Sequence, residues 1–558
     1  MFQRVVFLVA VLLGAVQVHA QSQQPEAKYW VFFTDKDIAD FQPEEEFDPK
    51  AIERRKQIGL PFDESDAPLN ASYINAVKST GASMKAKSRW FNAACVYANT
   101  EEIARIRDFG FVSDVKEVGT TNKVIAGEAV GNYNPSESDV QLAEAQLKRM
   151  GSSEFTQSGI DGRGVRIAVF DIGFKSWKTN PAFAHIRENK KILKTWDFVK
   201  DRENVDGYNN HGTFVLSCIA GKIGEMQIGL ATGAEFLLAR TETWTEFYSE
   251  EENWVEAAEW ADREGADMIN SSLGYTYHRY FREQMDGEHS LVTRAADMAA
   301  KKGILVVNAA GNDGNNEWKF IGAPADGDSV LSIGGIQPSL GTHTTFSSFG
   351  PTRDKRLKPN VCAYGHVTGS GPKGVSRTQG TSFSSPLVAG FAACAKQTRP
   401  GFSNMQLHDA IQKSGDLYPY FDYAHGYGVP QASYFMQMSS AHMPTFKFER
   451  SSSSVRIEII DSTEQVDPTH EGYFVKWPEY VFYHIENKIG YLDKYFVVDA
   501  TGFDKYNFEG ASDEMPEELD LSSFYEQHGP LVIDLDEFKR PFTIRAFYRG
   551  YTEELIIK

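Results

Sequence analysis

Five short segments in the middle of the chain carry nearly unbroken apolar runs: residues 165–170, 236–239, 267–270, 304–308 and 330–334. Runs of this length between polar turns predict strands buried on both faces. Between two of them, Trp254, Ala257, Ala258 and Ala261 fall at i, i+3, i+4 and i+7, the spacing of one apolar helix face. Strands alternating with helices predict an α/β fold, a parallel sheet flanked by helices.

The flanks follow other patterns. Residues 29–33 are rich in strand formers. Asp48 and Pro49 suit the cap and first turn of a helix that Gly59 closes. A second helical stretch spans 73–78, a strand 93–98, a helix 101–108 and a strand 111–118. This predicts an N-terminal α+β unit. Residues 119–138, rich in Gly, Asn, Thr and Ser, read as a linker. Beyond residue 440 the helical pattern stops. Segments 455–460, 480–485, 495–498, 531–535 and 542–547 predict a C-terminal β-domain, a sandwich.

The first residues carry a separate message. Arg4 precedes the apolar stretch 5–16, and Val18-His19-Ala20 offers small residues around a cleavage point. This predicts a signal peptide and a secreted protein. The stretch is too short for a membrane span, and no later one approaches the roughly 18 apolar residues that a span needs. The expected division is 1–20 signal, 21–138 N-terminal unit and linker, 139–438 α/β domain and 439–558 β-domain.

Charge and cysteine narrow the partners. The chain of 558 residues carries a formal charge of −19, which argues against a nucleic-acid partner, because phosphates are met by basic faces. Four cysteines allow three pairings. All four lie in apolar runs, which suits buried free thiols as well as disulfides.

Three segments of the α/β region carry chemistry. Asp171 ends the run 165–170. His211 opens His211-Gly212-Thr213-Phe214-Val215. Ser382 lies in Gly380-Thr381-Ser382-Phe383-Ser384-Ser385-Pro386, read as standing just before a helix that runs to about Gln397. A hydroxyl, a base and an acid from separate loops are what acyl transfer needs. A histidine removes the serine proton, and an aspartate fixes its tautomer and stabilises its charged form. Exits of parallel strands are where such sites lie. A fourth segment, 306–313, ends another strand and offers the side-chain amide of Asn312 to a developing oxyanion.

These segments resemble the subtilisin-like serine proteases, the subtilases, which share the order Asp, His, Ser. Asp171, His211 and Ser382 match the family's triad and Asn312 its oxyanion asparagine. Supporting matches are Ile228-Gly229-Leu230-Ala231, residues 266–274, Phe346-Ser347-Ser348-Phe349-Gly350-Pro351 and Lys358-Pro359-Asn360-Val361. The resemblance covers about residues 150–435. There are departures: Ile172 follows the aspartate, Phe383-Ser384-Ser385 follows the serine, and Asn360 stands where Asp is usual.

The resemblance implies a peptidase acting on polypeptides, with no cofactor needed for the chemistry. It implies that Ser272, Leu273, Gly274, Ala310 and Gly311 wall the substrate pocket, with Tyr275 and Asp313 at its rim. It implies that residues 28–118 are an inhibitory propeptide, the enzyme's intramolecular partner. Within them, Arg54-Arg55, residues 88–93 and Phe109-Gly110-Phe111-Val112 resemble a secreted bacterial branch. Glu242, Glu246, Glu250, Glu251 and Glu252 read chiefly as a solvated acidic helix start, with selection of basic substrate residues as the alternative. A structural calcium is the one metal the family suggests. Asp286-Gly287-Glu288 is its candidate site, read first as a surface turn.

Overall fold

The structure is a computed structural model that describes residues 26–118, 135–243, 249–276, 279–436, 444–460, 480–499, 505–508 and 531–558. The signal segment 1–20, most of the linker and Glu246 lie outside the described residues.

The N-terminal unit is an antiparallel sheet in the order Ser83–Ser88, Ala93–Ala98, Ala27–Phe33, Val112–Val118. Helices Ala71–Ser79 and Thr100–Arg107 cover it. The helix Pro49–Gln57 starts as its sequence implies: Asp48 Oδ1 accepts from Lys50 N at 2.8 Å. Gly59, at φ +66°, ends it in a conformation that other residues adopt at a cost. The strand Ser83–Ser88 was not legible in Ser-Met-Lys-Ala-Lys-Ser, because it has little apolar content.

The central sheet has seven parallel strands. Their order is Val361–Tyr364, Val330–Ile336, Leu305–Ala309, Met268–Ser271, Arg166–Asp171, Glu235–Arg240, Ile192–Asp197. All five expected strands are present. The edge strand Ile192–Asp197 carries a lysine and a threonine and is only partly buried, so no apolar run announces it. Side chains alternate between the two faces. Ile167 and Val169 pack in one core, with the helices His211–Ala220 and Thr381–Thr398. Ala168 and Phe170 pack in the other, against Trp254, Ala257, Ala258 and Ala261 of the helix Ser249–Arg263. Fully burying a side chain such as Trp254 or Phe170 contributes on the order of 2–3 kcal/mol. All four cysteines are buried free thiols.

The C-terminal region forms a three-stranded and a five-stranded antiparallel sheet. Residues of both, among them Phe446 and Ile457 with Val481 and Ile544, share one apolar core, which is the sandwich expected. Tyr420 of the α/β domain stacks on His484 of this region, the Phe421 ring lies tilted against it, and His484 Nδ1 meets the Phe421 carbonyl at 2.6 Å.

Candidate active site

Asp171 is the last residue of its strand and is fully buried. Its Oδ1 accepts from Ile172 N at 2.8 Å, which fixes the carboxylate at the strand exit. His211 begins the helix His211–Ala220, and its backbone N–H donates to Asn209 Oδ1 at 2.8 Å. Gly212 lets this helix close on the strand. A Cβ there would lie 2.6 Å from the Gly173 carbonyl and 2.9 Å from Asp171 Cβ. In the resulting pair, His211 Nδ1 stands 2.9 Å from Asp171 Oδ1 and 3.0 Å from Oδ2. The proton on Nδ1 therefore faces the carboxylate, and Nε2 is left as the basic nitrogen. Burial works against a charged ring, but the charge and hydrogen bonding of Asp171 outweigh it and raise the His211 pKa above its ordinary value.

Ser382 lies inside the helix Thr381–Thr398, as its second residue, not before it. Its N–H still belongs to the first turn, where backbone donors have no intrahelical acceptor. Asn312 comes to this helix start. Its Oδ1 accepts from Thr381 N at 2.9 Å and Thr381 Oγ1 at 3.1 Å, which leaves the Nδ2 hydrogens as the amide's outward donors. The Gly311 carbonyl lies at the same 3.1 Å from Thr381 Oγ1, a second acceptor for its one proton. Sequence reasoning gave Thr381 no role, although it stands beside the serine.

The serine hydroxyl donates to the Ser272 carbonyl at 3.2 Å, and among the described residues it makes no hydrogen bond to His211. The rings of His211 and Phe383, the residue after the serine, are 5.2 Å apart, so base and nucleophile share one neighbourhood.

The expected pocket residues fall into three sets. Ser272 and Gly311 bond directly with the nucleophile's helix. Gly274 borders open space, since a Cβ there would meet only the Ala323 carbonyl at 3.9 Å. Leu273 and Ala310 are covered; the Leu273 carbonyl is held by Asn308 Nδ2 at 3.0 Å. Tyr275 is not at a rim. It is fully buried, with its hydroxyl 3.3 Å from Glu242 Oε1 and Arg279 over its ring. Asp313 is nearly covered and holds Asn316 Nδ2 at 2.6 Å.

The acidic helix start is not a solvated face. Glu242, Glu250, Glu251 and Glu252 are all buried. Glu251 receives the Tyr280 hydroxyl and Arg279, and Glu252 pairs with Lys28 of the N-terminal unit at 2.9 Å. Residues 286–288 form a closed turn, with Asp286 Oδ1 accepting from the backbone of Glu288 and His289. No group of three or more His, Cys, Asp or Glu side chains among the described residues is arranged to hold a metal ion.

Residues 162–428 match the model of the subtilase family, and residues 28–130 match a peptidase S8 propeptide domain of Bacteroidota. The chain belongs to the subtilase family. The subtilase is 28% identical over 257 residues to alkaline elastase YaB of Bacillus sp. (strain YaB), covering 46% of this chain and 60% of that protein. It is 34% identical over 243 residues to the human membrane-bound transcription factor site-1 protease, covering 42% of this chain and 21% of that protein. Against subtilisin BL of Lederbergia lenta it is 28% identical over 257 residues, covering 46% of this chain and 85% of that protein. The matched part thus spans under two thirds of the first two relatives.

Proposed function

We propose that this subtilase is a secreted serine endopeptidase, made as a precursor that cuts off its own propeptide. The observation that carries the reading is the double approach of Asp171 to His211 Nδ1 beside a serine at a helix start. Ser382 Oγ turns from the Ser272 carbonyl to the substrate carbonyl carbon as His211 Nε2 takes its proton. The oxyanion that forms accepts from Asn312 Nδ2 and from Ser382 N–H. The imidazolium, stabilised by Asp171, then protonates the departing amine, and water repeats the sequence on the acyl-enzyme. The chain supplies every one of these groups, so this chemistry calls for no cofactor. Substrates are polypeptides that reach the cleft beside Ser272–Gly274 and Ala310–Gly311.

Secretion rests on the apolar residues 5–16 and Ala20. Restraint until arrival rests on the propeptide, whose Lys28, Arg54, Arg55 and Arg89 pair with carboxylates of the peptidase domain. Intact-mass measurement tests the reading. Wild-type chain is expected to lose the segment up to the linker, and Ser382→Ala chain, free of other proteases, to keep it. Loss of the segment by both would refute self-processing.

A further inference from the structure

Beside Asp171 lies a buried ion pair that the chemistry above does not use. The strands Arg166–Asp171, Glu235–Arg240 and Ile192–Asp197 end level with one another: Asp171 stands next to Arg240, and Arg240 next to Asp197. Side chains two apart on a strand share a face. Ile167 and Val169, with Phe236 and Leu238, pack in the core that holds the helix His211–Ala220. Asp171 and Arg240 continue those two rows, so the guanidinium emerges on the histidine's side of the sheet.

Arg240 is 4% exposed and Asp197 fully buried. Arg240 Nη1 donates to both carboxylate oxygens of Asp197 at 3.1 Å. Its Nε donates to the Ile172 carbonyl at 3.0 Å. Its guanidinium carbon lies 3.5 Å from the centre of the Tyr208 ring, within the range of attraction between a cation and a ring face. The Tyr208 hydroxyl in turn accepts from Arg202.

These contacts reach both members of the pair Asp171–His211. The Ile172 N–H holds Asp171 Oδ1, and the Gly173 carbonyl accepts from Gly212 N at 3.1 Å. The Ile172 carbonyl lies between those two bonds, so fixing it fixes the turn that carries the acid. Tyr208 precedes Asn209, whose side chain accepts from the His211 N–H. The turn and this loop are in close contact, since a Cβ on Gly173 would lie 2.8 Å from the Gly207 carbonyl. One guanidinium thus braces the turn of the acid and the loop that delivers the base.

Stability does not explain the pair, because buried ion pairs exchange for apolar residues at little or no cost. Geometry does. A planar guanidinium can donate sideways to a carbonyl, forwards to a carboxylate and lie flat on a ring, which an ammonium cannot.

We propose that Arg240, held by Asp197, is a positioning residue that sets the approach of Asp171 to His211. It touches neither substrate nor the reacting atoms. The proposal rests on the reading of Asp171 and His211 as the acid and base of the peptidase.

The test uses processed protein whose active sites are counted by titration with a serine-directed phosphonate, with kcat and KM then followed across the acid limb. Arg240→Lys keeps the charge and loses the fork. Arg240→Met combined with Asp197→Asn removes both charges together and leaves no buried ion alone, so it carries the test if Arg240→Lys fails to fold. Neither changes the net charge beside the dyad, so a shift of the limb reports geometry. Each is expected to lower kcat per active site about 10²-fold, the scale of a misplacement of about 1 Å, with KM little changed. Each is also expected to move the acid limb of kcat/KM to lower pH, because a looser Asp171 raises the His211 pKa less. A brace that served the fold alone would lower the number of titratable sites or the melting temperature and leave the limb at its wild-type pH. That limb, in either variant, would overturn the proposal. Failure of the peptidase reading is distinguishable, because Asp171→Asn would then leave the limb unmoved as well.

Discussion

Ser272 and Ser382 hold one another by a reciprocal pair of hydrogen bonds: Ser272 Oγ donates to the Ser382 carbonyl at 2.8 Å, and Ser382 Oγ donates to the Ser272 carbonyl at 3.2 Å. The pair ties the exit of the strand Met268–Ser271 to the start of the helix Thr381–Thr398. Asn270 continues the tie, donating to Ser272 Oγ at 3.1 Å and accepting from Ser385 Oγ at 3.1 Å. Ser272→Ala leaves the part-buried Ser382 carbonyl without this donor. It is expected to destabilise the fold by about 1–3 kcal/mol and to lower turnover, with the nucleophile still present. Chemical denaturation and steady-state kinetics check both; wild-type stability would show that the pair holds nothing.

Asn312 is oriented by Thr381, which occupies its oxygen and leaves its nitrogen to donate. Asn312→Ala is expected to lower kcat by about 10²–10³-fold, the range for removing one such donor from a subtilisin, with a smaller change in KM. Thr381→Val, which keeps the shape and loses the hydroxyl, is expected to act in the same direction more weakly. A variant Asn312→Ala that changes KM alone would contradict the oxyanion role.

The pH dependence follows from Asp171. Burial opposes protonation of His211, the Asp171 charge favours it more, and the net pKa is raised. Only the neutral ring accepts the serine proton, so kcat/KM is expected to rise with pH through a value above the ordinary 6.5 or so of histidine. Asp171→Asn removes the raising charge and is expected to shift this limb to lower pH while reducing kcat sharply. A profile flat down to pH 5 would exclude His211 as the base.

Asn360 gives Lys358 a neutral partner where the subtilase pattern has Asp, and the charges of Asp297, Asp326 and Asp328 only partly offset its burial. Lys358 Nζ is buried against the Val330 carbonyl and Asn360 Oδ1, and burial, with Arg356 nearby, brings its pKa down to about 7. The unfolded chain holds this proton up to its ordinary 10.5, so between pH 7 and 10.5 the unfolded state binds more protons and stability from this group rises with pH. Asn360→Asp supplies the missing carboxylate. The rise in melting temperature between pH 7 and pH 9 is expected to shrink in the variant, as scanning calorimetry would show; an unchanged rise would mean that Lys358 does not titrate in this range.

What was legible in the sequence is what local pattern encodes. Ala168 and Phe170 announce a buried strand because both faces need apolar side chains. Asp171, His211, Ser382 and Asn312 announce themselves because each sits in a short segment whose backbone must turn there. The destination of the acidic stripe was not legible. Glu252 and Asp262 look like solvated charge until Lys28 and Arg54 arrive, and Arg54 stands 208 positions from Asp262, with no periodicity to link them. The direction of the Ser382 hydroxyl is likewise hidden, since it depends on a carbonyl at Ser272, 110 positions away.

The most direct test of the account is covalent. Processed wild-type protein is to be treated with a serine-directed phosphonate while hydrolysis of a peptide substrate is followed, and the labelled residue located by mass spectrometry. The account predicts one label, on Ser382, with activity lost in proportion to labelling, and neither label nor hydrolysis in Ser382→Ala. Substantial hydrolysis by Ser382→Ala, or a label elsewhere that abolishes activity, would contradict it.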